Sequence, residues 1–366
     1  MPPEQPMTTT KYAWKNLPAT ELNRDVSLRD AWNRLNTLRC NVSFLDAEPV
    51  SNALNVFGTG NERLLVATGT AGIVAMVLAA PAGRFRWMTF QPSQMPLGAW
   101  VAEPSITPEA LGASLNKGGL GICLVFSFTQ TDPRFAQRST DSATTRGTDY
   151  IETGWVDIAG SFEDYWNARG KNLRQNMRKQ RNKLETEGIK GQMRKITDPA
   201  AMAGVIERYG ALESAGWKAA SGTAIHPDNA QGRFYIELMS ERAAKGEAIA
   251  YEYYFNDRCV AINLCVGRDK VITILKTTYD ESTHPFSPAF LLLQDILEEM
   301  HAEARWSRVE FYGRMMEWHT RWTEQKRTIY HLTCYRWPFI KTLAERRQEQ
   351  QAEKAEAAPA EASTTT

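Results

Sequence analysis

The stretch EAIAYEYYFNDRCVAINLCVGRDKVITILKTTY, residues 247–279, decides how the chain is to be read. It breaks into three runs rich in β-branched and aromatic residues, EAIAYEYYF, CVAINLCVG and VITILKTTY, joined by the short polar turns NDR and RDK. That pattern predicts three antiparallel strands in hairpin order. THPFSPAFLLLQDIL (283–297) follows, with Ser287 as an expected helix cap and Pro288 at the first helical position. A strand that ends at a helix N-terminus offers free N–H groups and a positive dipole end to an anion.

Working outward, the helices DPAAMAGVIERYGALESAGW (198–217) and GRFYIELMSERAAKG (232–246) precede the meander. After it come a strand RVEFYG (308–313), a helical segment around Met315–Thr323 and a last strand IYHLTCYRW (329–337). A similar programme runs earlier: a helix SLRDAWNRLNTL (27–38), the strands RLLVAT, GIVAMVLAA and RFRWMTF, a helix TPEALGASLNK and a strand GICLVFSF. The expected fold is therefore α/β, an α+β mixed sheet, written twice. The expected boundaries are a disordered N-terminus (1–12), a first unit (20–138), a Ser/Thr-rich linker (139–150), a second unit (151–340) and a disordered low-complexity tail (343–366).

The totals exclude several classes. The 366 residues are 43% hydrophobic and 10% aromatic, as in a globular protein. With 43 basic and 42 acidic residues the net charge is +1, against a protein that coats DNA along a whole face. Five cysteines without a CxxC pair, several inside apolar runs, predict reduced thiols in a cytoplasmic protein, and no metal spacing is present. The longest nearly apolar run, GIVAMVLAA (72–80), is too short to span a bilayer, which leaves peripheral contact with the inner membrane open. MPPEQPMTTTKY has neither a charged n-region nor an apolar h-region of a signal peptide.

Charge is concentrated locally. KNLRQNMRKQRNKLE (171–185) carries six Lys/Arg and one acid, Glu185. At about 100° per residue, Leu173, Met177, Gln180 and Leu184 fall on one buried seam. Arg174, Arg178 and Arg181 lie with Lys171 on one flank; Asn172, Asn176, Lys179 and Lys183 form the other. Without compensating acids at i+4 these charges repel, so the flank either remains solvated or faces an anion. No aromatic interleaves with it, against stacking of single-stranded nucleic acid. Farther on, Glu310 alternates with Val309 and Phe311 and points to the opposite sheet face, and His319 lies in a Met/Trp-rich patch.

Together the basic helix SFEDYWNARGKNLRQNMRKQRNKLETEG, the meander, SPAFLLLQDIL and FYGRMMEWHTRW resemble GNAT-superfamily acyltransferases over roughly residues 155–338. The closer likeness is to the CelD/BioF-type acetyltransferase branch, related to the Fem peptidyltransferases. The resemblance implies two tandem GNAT-like half-domains, the N-terminal one degenerate. Ser287, Pro288 and Ala289 match a Ser-Pro-Gly helix start, with Ala in place of Gly. Gly313, Trp318, His319 and Trp322 loosely match a glycine followed by Tyr-Lys and an aromatic, with His in place of Lys and the spacing shifted by one. The usual GNAT phosphate loop is absent.

The implied chemistry is transfer from an acyl-CoA or acyl carrier protein thioester, with no metal, to a primary amine. The acceptor would belong to an amino sugar, a polysaccharide precursor or a long-chain lipid base. On that reading Arg174, Arg178, Arg181, Ser287 and Lys276 would bind the donor or an anionic acceptor. His319 would remove the proton, with Glu310, Tyr279 and Glu252 behind it. Two other readings stand beside it: Fem-like transfer from aminoacyl-tRNA, with the basic helix holding RNA, and an interaction module that has kept the fold and lost the donor site.

Overall fold

The computed structural model describes residues 12–70, 72–214 and 225–357, with the side chains of 351–357 left aside. The expected disorder of 1–11 and 358–366 lies outside the described residues, as does the expected end of the helix at 215–217.

The first unit runs β1 (Ala13–Pro18), α1 (Glu21–Arg24), α2 (Val26–Arg39), α3 (Ala47–Phe57), β2 (Arg63–Gly69), β3 (Gly72–Gly83), β4 (Arg86–Thr89), β5 (Trp100–Ala102), α4 (Pro108–Ser114), β6 (Val125–Thr131) and β7 (Thr145–Asp157). The second runs α5 (Phe162–Asn167), α6 (Lys171–Thr186), β8 (Gly191–Ile196), α7 (Met202–Ser214), α8 (Ala230–Ala244), β9 (Ala248–Phe255), β10 (Arg258–Arg268), β11 (Val271–Tyr279), α9 (Pro288–Glu303), β12 (Arg308–Glu310), α10 (Glu317–Thr320), β13 (Lys326–Tyr335) and α11 (Pro338–Ala357). The repeat is real in topology. Each unit has a strand, helices, an antiparallel meander, a helix and a returning parallel strand, β4 beside β6 and β11 beside β12.

Sheet order is β1-β2-β3-β4-β6-β13-β7-β12-β11-β10-β9-β8, with β5 against β3. The two units thus exchange their last strands. β13 pairs antiparallel with β6 of the first unit, and β7 pairs with β12 of the second (Val309 opposite Val156). One sheet and one shared core result. Trp32, Leu35 and Val50 of α2 and α3 pack in the same cluster as Val205, Tyr209 and Leu238 of α7 and α8. α6 and α9 cover the opposite face of the second unit, while α4 covers that face of the first.

A buried ionic cluster ties the helical layers together. Arg242, fully buried, meets Asp46 at 2.6 Å and Glu247 at 3.1 Å, and Arg268 meets Glu247 at 2.6 Å.

Several expectations change. The linker is shorter than 139–150, because β7 already begins at Thr145. The tail expected to be disordered from 343 is helical to Ala357, Pro338 opening α11 at a position where its missing N–H is harmless. β1 and β8 are strands of polar, weakly alternating sequence that sit at the two edges of the sheet.

Candidate active site

Parallel strands β11 and β12 pair only at Val271–Thr273 and Arg308–Glu310. Beyond that the β11 edge has no strand partner among the described residues, and the sheet splits. A bulge adds to the divergence: Leu264 opposes Lys276 and Cys265 opposes Ile274, so Leu275 is the extra residue. The resulting cleft has a volume of about 240 Å³. Ile274, Thr277 and Tyr279 of β11, Phe290 and Leu293 of α9, and Phe311, Trp318 and Trp322 line it, with Ser287, Ala289 and His284 at the helix start. Cavities that bury a whole drug-sized ligand run from about 300 Å³ upward. This one accommodates the chain-like part of a larger molecule.

Two polar groups in these walls lack protein partners. Asn263 lies on the β10 floor, 5% exposed, and its side-chain amide makes no hydrogen bond among the described residues. The indole N–H of Trp322, a fully buried residue, has no acceptor either. A buried group such as the indole N–H costs about 1–3 kcal/mol when unsatisfied; it is shut off from the cleft, whereas the Asn263 amide borders it and could meet a ligand's amide or carbonyl. The turn carrying Trp322 is fixed from outside: its carbonyl accepts from the Tyr165 hydroxyl (2.8 Å) and from Arg169 (2.9 Å).

α9 begins at Ser287 with φ 51°, ψ 52°, a left-handed conformation, and the serine side chain makes no cap bond. The expected side-chain cap is therefore absent, yet the helix N-terminus still opens on the cleft. α6 buries Leu173, Met177, Gln180 and Leu184, the seam expected from the sequence. Its cations are deployed less uniformly. Arg181 is spent on α9, donating to Gln294 (3.0 Å) and pairing with Asp295. Arg174 donates to the Arg169 carbonyl (3.1 Å), and Arg178 is exposed. Lys183, on the other flank, reaches nearest the start of α9, its Nζ 4.2 Å from the Phe286 ring centre.

Of the four expected acid–base residues, Tyr279 lines the cleft and the others do not. The Nδ1 of His319 accepts the Met316 N–H at 2.9 Å, so its proton sits on Nε2, and burial pushes the imidazole down to about 4. A ring committed in that way holds a turn; it is not poised as a base. Glu252 accepts from Arg208 and the Tyr254 hydroxyl (2.8 Å each) beneath α7. Glu310, fully buried, is bound by Arg327 (2.8 Å) and Arg134 (3.2 Å) at the junction of the units. Lys276 lies on the α8 side, 5.9 Å from the Tyr235 ring. His284, overlooked in the sequence, brings an imidazole to the cleft mouth, and imidazole is the commonest general base. Asn263 was signalled by one polar residue inside the apolar run VAINLCV.

The matching place in the first unit is shut. Thr89 and Thr129 hydroxyls meet at 2.6 Å across β4 and β6, and a Cβ on Gly98 would lie 2.5 Å from both Thr129 O and Thr89 Oγ1. The space left there is about 20 Å³, against about 240 Å³ in the cleft of the second unit. That is the physical meaning of its degeneracy.

The site is thus a split mixed sheet with a helix N-terminus at the split, beside a twin unit in which the matching place is nearly closed. Residues 171–320 match the acetyltransferase (GNAT) domain family, which supports an acyltransferase. No curated protein sequence matches it. Among solved structures, it is similar to a C-terminal domain assigned to a lysylphosphatidylglycerol synthetase of Agrobacterium fabrum. The identity is 13%, the TM-score 0.51, and the match covers 83% of this chain and 91% of that one. It is also similar to a conserved protein of unknown function from Bacteroides thetaiotaomicron, at 9% identity and TM-score 0.52, covering 88% and 99%. At these identities the likeness is one of fold. Among the described residues no cluster of His, Cys, Asp and Glu could hold a metal ion, and no helix is long and apolar enough to cross a membrane.

Proposed function

We propose that this chain is an N-acyltransferase whose C-terminal cleft holds the thioester arm of an acyl-CoA or acyl carrier protein. The observation that carries the reading is the apolar cleft beside the part of β11 that β12 leaves unpaired, with the Asn263 amide on its floor. A phosphopantetheine arm is a flexible chain bearing two amides, and both donors carry it. The unpaired β11 edge would bind such an arm as an added strand does. The α9 N-terminus with Lys183 beside it would receive phosphate.

In the transfer, the amine nitrogen attacks the thioester carbonyl carbon and the C–S bond breaks. The thiol leaves with one proton, and the second ammonium proton passes to a base; His284 and Tyr279, which line the cleft, are the candidates. The acceptor is a primary amine of an amino sugar, a polysaccharide precursor or a long-chain lipid base; the aromatic walls favour one with an apolar body. All five cysteines are free thiols, which supports a reducing, cytoplasmic setting.

Thermal unfolding in the presence of a short-to-long acyl-CoA series tests the reading. Stabilisation that grows with ligand concentration is expected, about 2.7 kcal/mol at a hundred times Kd. No stabilisation by any acyl-CoA or acyl carrier protein, together with tRNA binding that falls steeply with salt, would replace it with transfer from aminoacyl-tRNA.

A further inference from the structure

Away from the cleft, three loops converge at the end of β13. The Leu124 N–H donates to the Phe85 carbonyl (2.8 Å), and the Arg336 N–H donates to the Leu124 carbonyl (2.9 Å). This joins the β3–β4 turn, the loop before β6 and the start of α11 into one tip. The tip is apolar and unusually open: Ile122 and Phe339 are each 65% exposed, Leu343 50%, Trp337 44% and Phe85 36%. The Trp337 and Phe339 rings stack 5.7 Å apart, so their faces form a continuous shelf. Segments 82–87, 117–124 and 335–340 also contain Arg84, Arg86, Lys117 and Arg336 and no acid, in a chain whose net charge is +1. Arg84 and Arg336 lie over Phe85 (5.1 Å) and Trp337 (5.0 Å) respectively.

We infer that this tip docks on a bilayer surface containing anionic lipid. Exposed aromatic rings are stabilised at the headgroup level, where Trp accumulates in membrane proteins. The cations would add attraction to anionic headgroups, about 1 kcal/mol per residue. Neither term suffices alone; a few rings plus a basic patch is the combination that gives reversible surface binding. The direction is also consistent with use. β11, β12 and β13 run parallel to one another, so the tip and the cleft open toward the same end of the sheet. Docking there would turn the cleft mouth toward the membrane. The inference stands apart from the acyl-transfer reading, because vesicle binding requires no turnover.

The test is co-sedimentation of the full chain with phosphatidylcholine vesicles and with vesicles that also contain phosphatidylglycerol. Binding to the anionic vesicles is expected, with weak binding to the neutral ones. Arg84→Gln and Arg86→Gln should each weaken it about fivefold, the equivalent of ~1 kcal/mol. Trp337→Ser with Phe339→Ser should abolish it at an unchanged melting temperature, and the arginine variants serve if that pair melts early. Equal binding to both vesicle types, no binding, or undiminished binding by the variants would overturn the inference. So would a dimer that the Trp337/Phe339 variant dissociates while vesicle binding stays intact, since the tip would then be a contact between copies.

Discussion

Arg327 of β13 lies 2.8 Å from Glu310 at the end of β12 and donates through Nε to Asp132 at 2.8 Å, a residue of the first unit. One guanidinium therefore clasps a carboxylate from each half, at the point where the two units trade strands. Tyr312 completes the clasp with its hydroxyl on Asp132 (2.8 Å). Burial opposes the Arg327 charge, but Asp132 and Glu310 outweigh it and hold the group protonated well above its ordinary range. Glu310, expected to be catalytic, is thus a structural partner of the strand exchange.

Arg327→Met should destabilise the protein by about 3–5 kcal/mol, because buried Asp132 loses its counter-charge and buried Glu310 loses the nearer of its arginines while keeping Arg134. Urea unfolding measures this. A change under about 0.5 kcal/mol, the size of an ordinary surface substitution, would show that the clasp does not hold the units together.

His319 gives a pH signature. Its folded value is depressed to about 4 from an ordinary 6.5, so between these limits the unfolded chain binds a proton that the folded chain refuses. Stability from this group is complete above pH 6.5 and is lost as pH falls toward 4, by about 3 kcal/mol in all. His319→Asn, which keeps an acceptor for the Met316 N–H, should flatten that slope and retain turnover. Loss of turnover in His319→Asn equal to that in His319→Ala would return the ring to the role of base.

Ser287 holds a left-handed backbone without using its side chain. Such a conformation costs a non-glycine residue about 1–2 kcal/mol. Ser287→Gly should be neutral or slightly stabilising in thermal melts and should leave donor affinity intact, whereas Ser287→Val should destabilise. A large loss of affinity in Ser287→Gly would assign the hydroxyl a direct contact with the donor.

Asn263→Leu should separate stability from binding. Removing a buried amide without a partner raises or preserves the melting temperature. Removing its bond to the donor should weaken acyl-CoA binding roughly tenfold, the value of a hydrogen bond of about 1.4 kcal/mol. Calorimetric titration and a melting curve on one preparation give both numbers, and unchanged affinity would remove Asn263 from the site.

Much of this fold was legible because local periodicity carries it. The α6 seam, the three meander strands and the Pro288 helix start all follow from spacing and turn chemistry. Strand exchange was not legible, since the alternation in IYHLTCY says that β13 is a strand and nothing about which sheet it joins. α11 was missed because its sequence is polar nearly throughout and resembles a solvated tail. The site was harder still. Sequence ranks His319, Glu310, Glu252 and Arg181 by residue type; the last three are engaged by tertiary partners that spacing cannot show, and His319 is engaged by the Met316 N–H of its own turn. Asn263 and His284 gained their places only when the β11–β12 split and the turn before α9 came together.

The central claim is that the cleft between β11 and α9 holds an acyl thioester. Ala289 lines its mouth on the first turn of α9, and Ala289→Trp would fill that space without touching the clasp or the α6 seam. Titration calorimetry with the best-stabilising acyl-CoA is the most direct measurement. Saturable binding to the native chain and at least a tenfold loss in the folded Ala289→Trp variant are predicted. Equal affinity in the two proteins would contradict the account.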